Sequence, residues 1–253
     1  MADDRPVVDR AREALAGIVV ERGLAGEGVR VLGRPLTPEE AIGVPGRRDY
    51  PIIEGRERVI EAEFLGSKGH AFTDSPREFE GSLEEVLALP LETNAERAVF
   101  FATLNAVLRR LDLARGTVHC RDDDPEDCAR EVAGHLADRH GSVGLVGLNP
   151  ALAEGLARAF GPGRVRITDL NPACVGAARF GVEVWDGRTR TAELVAESDV
   201  VLVTGTTIVN GSFDSIAALA RDRGRSLVVF GVTASGVAAL TGMPRLCPKS
   251  RDA

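Results

Sequence analysis

The sequence has few aromatic residues, no excess of positive charge and no long apolar run. Aromatic side chains make up 4% of the 253 residues, and the formal net charge is −7. Nucleic-acid binding needs basic surfaces and often aromatic platforms for base stacking, so no nucleic-acid partner is expected. No apolar stretch approaches the ~20 residues of a membrane-spanning helix, and the first residues, MADDRPVV, do not resemble a signal peptide. We therefore expect no membrane partner and a cytoplasmic location.

The cysteine pattern excludes a disulfide scaffold. Cys120, Cys128, Cys174 and Cys247 are widely spaced and include no C-x-x-C pair. In a cytoplasmic protein these thiols are expected to be reduced, and their spacing matches no standard zinc motif. Hydrophobic residues at 44% and charged residues at 27% have the balance of an ordinary globular protein. The sequence therefore predicts a core that needs neither disulfides nor a structural metal.

The apolar pattern divides the chain into two halves. The first half combines a helix near residues 6–21, a strand hairpin over 57–73 and a helix that begins with a Thr93-x-x-Glu96 capping box. This mixture predicts a small α+β domain over residues 1–115. In the second half, apolar strands alternate with helical segments from residue 142 to residue 230, which predicts a parallel sheet with right-handed crossovers. We expect a Rossmann-like α/β domain over residues 116–253.

The first segment that could carry chemistry joins the first strand of this second half to its helix. Gly147 ends the strand, and Asn149-Pro150 suits the cap and first position of a helix at a nucleotide-type phosphate loop. Asp169 ends the next strand, where an acidic residue often binds a ribose. The G-x-G-x-x-G fingerprint is absent, and Asp169 could equally cap the following turn. A ligand role for Gly147, Asn149 and Asp169 therefore stays one of two interpretations.

A second segment follows the buried strand at residues 200–203 directly. In a doubly wound sheet this loop and the one after the first strand flank the topological switch point, where ligands bind. The loop concentrates hydroxyls, an amide and two glycines in Thr204, Gly205, Thr206, Thr207, Asn210, Gly211 and Ser212. We interpret these residues as ligand-binding. The alternative makes the glycines turn residues and Ser212 a helix cap.

A third segment and one isolated residue have two interpretations each. His119 and Cys120, with the acids after them, suggest metal ligands, whereas Asp124-Pro125 is also a typical helix start. The helical phase of Cys128 favours a packing role, and Cys247 is expected in a mobile tail. Asn105 interrupts an apolar helix stripe, so its amide is expected to bond either the neighbouring domain's backbone or a ligand. The alternative is a bond within its own domain.

Two stretches resemble the family named "putative heavy-metal chelation". The first stretch runs from Val203 to Ser212 and is followed by Asp214. The second runs from Asn94-x-Glu96-Arg97-Ala98 through Leu104-Asn105-Ala106. The resemblance implies a small domain like the enolase N-terminal domain joined to a Rossmann-like domain. It also implies binding of a metal ion or handling of a metal-chelating small molecule. The sequence departs from the family pattern at residues 231–236, where Gly-Pro and a hydroxyl residue are expected.

Three hypotheses for function follow from these observations. The first is binding or handling of a metal ion or metal-chelating small molecule in the inter-domain cleft, with a divalent metal as the possible cofactor. The second is an enzyme that uses a nucleotide-type ligand, such as S-adenosylmethionine, at the switch point. The third is a non-catalytic scaffold. No nucleophile, base and acid can be named, so the sequence leaves catalysis open, together with assembly into a homo-oligomer.

Overall fold

The computed structural model describes residues 5–32, 34–54 and 57–253. Four antiparallel strands form the first sheet, in the order β3-β2-β1-β4, and the long helix α4 packs on β2 and β3. The elements of this half are α1 (Val7–Arg22), β1 (Gly28–Val31), α2 (Pro38–Ile42), β2 (Arg58–Phe64), β3 (Ser67–Thr73), β4 (Phe79–Ser82), α3 (Leu83–Leu87) and α4 (Asn94–Arg110). The predicted first helix and hairpin are therefore present.

Helix α4 begins where the sequence predicts. The Thr93 hydroxyl accepts a hydrogen bond from Glu96 N at 3.2 Å, and the Glu96 carboxylate accepts one from Thr93 N at 3.1 Å. These two bonds satisfy backbone donors that a helix start would otherwise leave unpaired. The helix carries a nearly continuous buried surface, because its residues 98–108 are all buried.

The second half forms a seven-stranded sheet in the order β11-β10-β9-β5-β6-β8-β7, and only the β7–β8 pair is antiparallel. Strands β5 and β9 are neighbours, so the chain winds outwards in both directions from a switch point between them. Its elements are α5 (Asp124–Ala137), β5 (Val143–Val146), α6 (Pro150–Phe160), β6 (Val165–Asp169), β7 (Ala178–Arg179), β8 (Val182–Asp186), α7 (Gly187–Ala196), β9 (Val200–Thr204), α8 (Thr206–Val209), α9 (Phe213–Asp222), β10 (Ser226–Phe230), α10 (Ser235–Thr241) and β11 (Arg245–Leu246). The α/β fold class with a smaller α+β unit is confirmed.

The sequence pattern predicts one of the helical segments of this half over residues 172–180, and that prediction is wrong. Residues 172–176 form turns and lead into the short strand β7. Asp169 accepts from Asn171 N at 2.7 Å, and Asn171 accepts from Ala173 N at 3.1 Å. Such short side-chain-to-backbone bonds offer the chain an alternative to helical pairing.

The tail is ordered by two pairings that the sequence analysis missed. Strand β11 extends the parallel sheet beside β10, and Val118 pairs with Arg251 in an isolated antiparallel bridge. Lys68 N also donates to Ala253 O at 2.9 Å. Cys247, which directly follows β11, therefore lies beside the sheet and not in a mobile tail.

Both halves contribute to one hydrophobic core. Apolar residues of α1 and α4 pack together with residues of β9, α8, α9 and α10. The predicted division at residues 115 and 116 falls between α4 and α5, and it stays a prediction. Within the described ranges, none of the helices has the length and apolar character that crossing a bilayer requires.

Candidate functional site

A cavity of about 1000 Å³ lies at the carboxyl ends of β5, β6 and β9. It is bounded on one side by the loops of the parallel sheet and on the other by residues of the first half, including Glu57 and Phe72. The sequence-predicted residues that line it are Gly147, Asn149, Asp169, Thr204, Gly205, Thr206, Thr207, Asn210, Ser212 and His119. Three others, Asn105, Gly211 and Cys120, do not line it.

Gly147 brings the two switch-point loops into contact. Its backbone is left-handed at φ 88°, and a Cβ there would lie 2.5 Å from the Cγ2 methyl of Thr204. No residue with a side chain fits this position without movement of its neighbour. Glycine is therefore needed here for the close approach of β5 and β9, and no pyrophosphate contact has to be invoked.

Asp169 ties the loops after β5 and β6 together. One carboxylate oxygen accepts from Leu148 N at 2.7 Å, and the other accepts from Asn171 N at 2.7 Å. Of the two interpretations of Asp169, this geometry favours the loop-closing one. A ribose hydroxyl would have to bind carboxylate oxygens of Asp169 that already accept hydrogen bonds from backbone N–H groups.

Asn149 and Asn210 each fix their own loop through the side-chain oxygen. The Asn149 oxygen caps α6 by accepting from Leu152 N at 3.0 Å. The Asn210 oxygen accepts from both the backbone N (3.0 Å) and the hydroxyl (2.7 Å) of Ser212. In the part of the chain that the structure describes, neither side-chain NH2 group has a partner. Two hydrogen-bond donors, one from each loop, are thus left for a ligand in the cavity.

The hydroxyls of the second loop are partly used within it. Thr207 donates to Thr204 O at 2.6 Å, and the hydroxyls of Thr204 and Thr206 lie 3.3 Å apart. Arg97 of α4 holds the loop from the other half, since its Nε donates to Val209 O at 2.5 Å. Gly211, at φ 79°, sits over the same guanidinium and serves the turn. Only the family resemblance singled out Arg97.

Asn105 is a structural residue, which corrects its assignment to the ligand site. It is fully buried, and its amide nitrogen donates to His70 O at 2.9 Å and to Val232 O at 3.0 Å. Its oxygen accepts from Gly236 N at 2.7 Å. Backbone groups therefore pair with both the nitrogen and the oxygen of this amide. The side chain joins β3 to residues 232–236 and offers nothing to a ligand.

The sequence analysis missed several residues of the cavity wall. Arg179 and Arg188 bring positive charge to it, and Glu57 brings a carboxyl. Thr168, at the end of β6, is fully buried and its hydroxyl has no partner among the described residues. An Arg in a two-residue strand, an Arg in the first turn of a helix and a single Thr near a strand end carry no pattern that distinguishes them, so only the fold reveals these positions.

Glu57 is the most perturbed carboxyl of the cavity. Burial, together with the negative charge of Asp169, raises the pKa of Glu57 from 4.5 to about 7. Both effects disfavour the ionised form. Near neutral pH the Glu57 carboxyl is therefore protonated part of the time. In that form it can donate a hydrogen bond as well as accept one.

Replacing Glu57 with Gln is expected to stabilise the protein above pH 7. The pKa of Glu57 is higher in the folded protein than in the unfolded chain. The folded protein therefore loses stability as pH rises from about 4.5 to about 7, and the whole loss is present above that range. We expect Glu57→Gln to recover about 1–3 kcal/mol at pH 8, less than the full pKa change implies because the side chain is only half-buried. Below pH 4.5 the two proteins should have similar stability. Urea unfolding at pH 4 and pH 8 measures this difference, and equal pH dependence of both proteins contradicts it.

Metal binding by His119 and Cys120 stays a prediction, and among the described residues no third His, Cys, Asp or Glu joins them in a group that could hold a metal ion. His119 Nδ1 lies 2.6 Å from Cys120 O, which fixes a proton on that nitrogen, and burial lowers the pKa of His119 to about 4. The Cys120 thiol is buried, and burial raises its pKa far above the usual range. A metal ion would have to displace the proton of this buried thiol, because metal binding needs a thiolate.

Comparison with known families agrees with the sequence resemblance. Residues 134–244 match the model of DUF364, which is described as "Putative heavy-metal chelation". A DUF364 protein of unknown function from Pyrococcus horikoshii has a similar structure, with a TM-score of 0.55 at 14% identity over 90% of this chain and 79% of that chain. A second DUF364 structure, from Desulfitobacterium hafniense, gives a TM-score of 0.47 at 14% identity over 68% and 66% of the two chains. No curated protein matches the chain in sequence.

The likeness to the Pyrococcus horikoshii structure supports the fold, and the family description raises the question of a metal. Across residues 5–32, 34–54 and 57–253, no three His, Cys, Asp or Glu side chains are grouped to hold a metal ion. The cavity carboxyl Asp169 has both oxygens bound to backbone N–H groups, as described above. The described residues therefore do not fit a metal ion that is held by several protein ligands alone.

Proposed function

We propose that the cavity binds a small molecule that chelates a metal ion, and that the metal enters as part of this complex. The observation that carries the proposal is the pair of unpartnered NH2 groups of Asn149 and Asn210 in one cavity. A chelator is rich in oxygen and nitrogen acceptors, and those that face away from the metal need donors. One donor from each loop at the switch point meets that need.

Charge at the cavity wall supports a carboxylate-bearing ligand. Arg179 and Arg188 both line the cavity, and guanidinium groups form strong charge-assisted bonds with carboxylates. The wall also carries the carboxyls of Asp49, Glu54, Glu57, Asp74 and Asp169. Asp49 pairs with Arg47, Asp74 accepts from the Asn94 amide at 3.0 Å, and Asp169 accepts from backbone N–H groups. Glu57 carries a proton part of the time near pH 7. A polycarboxylate chelator therefore suits this wall better than a bare cation does.

The size of the cavity also favours a molecule over an ion. About 1000 Å³ lies at the upper end of the range for small-molecule sites, whereas a metal ion needs a compact set of ligands. A nucleotide-type ligand has less support, since Asp169 is committed to the backbone and the loop lacks a glycine fingerprint. S-adenosylmethionine therefore serves as the comparison ligand in the experiment below.

Asn149→Asp and Asn210→Asp are expected to weaken binding of a metal chelate with little loss of stability. Asp retains the oxygen that caps α6 or closes the Ser212 turn, but it replaces the donor by a negative charge. For citrate carrying Ni²⁺, we expect about 10- to 100-fold weaker binding for each variant, because hydrogen bonds to charged groups contribute about 1.5–3 kcal/mol. Isothermal titration calorimetry measures the affinity.

Asn149→Ser is the matched control for the added charge, because serine also caps a helix but lacks the NH2 donor. It should weaken binding as well, though less than Asn149→Asp does. Wild-type affinity in both Asp variants would contradict the proposal. Tighter binding of S-adenosylmethionine than of either the chelate or free citrate would favour the nucleotide hypothesis instead.

A further inference from the structure

The larger cavity reaches beyond the strand ends into a crevice between α7 and α9. The crevice is lined by Thr191 and Ala192 of α7 and by Ser215, Ile216 and Leu219 of α9. Helix α7 packs against α9 and also against β5 and β6. The crevice is therefore a part of the cavity that two helices form over the sheet, and it is distinct from the two switch-point loops.

Val146 of β5 and Thr168 of β6 form the floor of this crevice. They are direct partners in the parallel pairing of the two strands, so their side chains project from the same face of the sheet. Gly144, two positions before Val146, has the same orientation, and a Cβ there would lie 2.3 Å from the side chain of Leu194 in α7. The face that carries Val146 and Thr168 is therefore the face that α7 covers, and both residues line the cavity.

The hydroxyl of Thr168 is a polar group of the crevice that the protein leaves unsatisfied. Thr168 is fully buried, and its hydroxyl has no hydrogen-bond partner among the described residues. The hydroxyls of Thr191 and Ser215 are engaged, since the first donates to Gly187 O at 2.7 Å and the second to Ser212 O at 2.8 Å. Buried polar groups are hydrogen-bonded in the large majority of cases, and an unpaired one costs free energy. A ligand atom that pairs with Thr168 removes this cost.

We propose that the crevice receives the aromatic ring of the bound chelator and that Thr168 pairs with an oxygen substituent of this ring. The inference rests on the proposed function and names the chemical class of the chelator, an oxygen-substituted aromatic carboxylate. Val146 and Ile216 belong to one hydrophobic cluster, and Leu219 packs against it. A ring between the two helices buries apolar surface against these side chains.

Both features of this ligand, the ring and its oxygen, follow from the walls of the crevice. A purely polar chelator such as citrate leaves the apolar side chains uncovered, and an alkyl arm leaves the Thr168 hydroxyl unpaired. A ring that carries an oxygen on the side away from the metal meets both requirements. Carboxylates on the metal side of the ring have a charged partner in Arg188, which lies in the first turn of α7 and lines the same cavity.

Two chelators that differ by one oxygen test the inference. Pyridine-2,6-dicarboxylate binds Ni²⁺ through its ring nitrogen and both carboxylates, and its 4-hydroxy derivative adds an oxygen at the ring position opposite the metal. Wild type should bind the Ni²⁺ complex of the 4-hydroxy compound about 3- to 10-fold more tightly, as one added hydrogen bond predicts. Thr168→Val should abolish this preference. Thr103→Val, which removes a buried and unpartnered hydroxyl of α4, should retain it. Isothermal titration calorimetry measures the affinities.

A second pair of variants tests the crevice without altering Thr168. Ala192→Leu places a larger side chain in the crevice and should weaken binding of both ring complexes by roughly 10-fold or more. Ala196→Leu, one turn further along α7 and outside the cavity lining, should bind both as wild type does. All four variants should bind Ni²⁺–citrate like wild type, because citrate has no ring to enter the crevice.

The outcomes separate this inference from the proposed function. The inference is overturned if wild type shows no preference for the 4-hydroxy compound, if Thr168→Val keeps that preference, or if Ala192→Leu binds both ring complexes undiminished. If Ni²⁺–citrate binds and neither ring complex does, the inference alone fails. If wild type binds none of the three complexes, the proposed function fails with it.

Discussion

Asn105→Leu is expected to lower the free energy of unfolding by about 2–4 kcal/mol, although leucine has the same branching and number of side-chain heavy atoms as asparagine and matches its apolar neighbours. The substitution leaves the buried Gly236 N–H without its acceptor and removes the donor to His70 O and Val232 O. A buried donor that loses its partner costs about 1–3 kcal/mol, and the lost bonds add to that. Chemical denaturation of both proteins measures the difference.

Thr103→Val is the matched control, on the same helix and equally buried. The Thr103 hydroxyl has no partner among the described residues, so its removal should be neutral or stabilising. A small effect of Asn105→Leu, comparable to that of Thr103→Val, would contradict the structural role of Asn105. Unchanged stability with weaker chelate binding would restore the ligand role that the sequence suggested.

Gly147→Ala is expected to destabilise the protein by about 2–4 kcal/mol and to distort the larger cavity. A non-glycine residue with left-handed backbone costs about 1–2 kcal/mol, and the added methyl overlaps the Thr204 side chain. The two loops that carry Asn149 and Asn210 should move apart as a result. Weaker binding of Ni²⁺–citrate should accompany the loss of stability, because the donors no longer converge.

Two variants separate backbone strain from the clash. Gly176→Ala introduces a side chain at a similar φ of 79° with nothing within 4 Å, so it should show the backbone cost alone. Thr204→Ser removes the Cγ2 methyl that lies 2.5 Å from the new Cβ, and it should partly rescue Gly147→Ala. If Gly147→Ala and Gly176→Ala lose equal stability and Thr204→Ser does not rescue Gly147→Ala, the contact with Thr204 is not the reason that residue 147 must be glycine.

Local signals predicted the fold well where they act within a few residues. The capping box at Thr93 and Glu96 and the Asn149-Pro150 start of α6 appear as expected, since both depend on bonds within one helical turn. The alternation of apolar strands with helices likewise predicted the switch point between β5 and β9. That placement was enough to bring the predicted loops to one cavity.

Features that depend on long-range packing could not be predicted in this way. Asn105 has the same helical phase whether it bonds a ligand or the backbone of residues 232–236, and only the packing of α4 decides between them. The turns at residues 172–176 arise because Asp169 and Asn171 bind nearby N–H groups.

Equilibrium dialysis with radioactive Ni²⁺ and citrate tests the central claim, that the larger cavity binds a metal as its chelate, most directly. The account predicts that wild type retains nickel and citrate in equal amounts, and that it retains much less nickel when citrate is absent. The double variant Asn149→Asp/Asn210→Asp should retain neither above background. Equal retention of nickel with and without citrate, or equal retention by wild type and the double variant, would contradict the account.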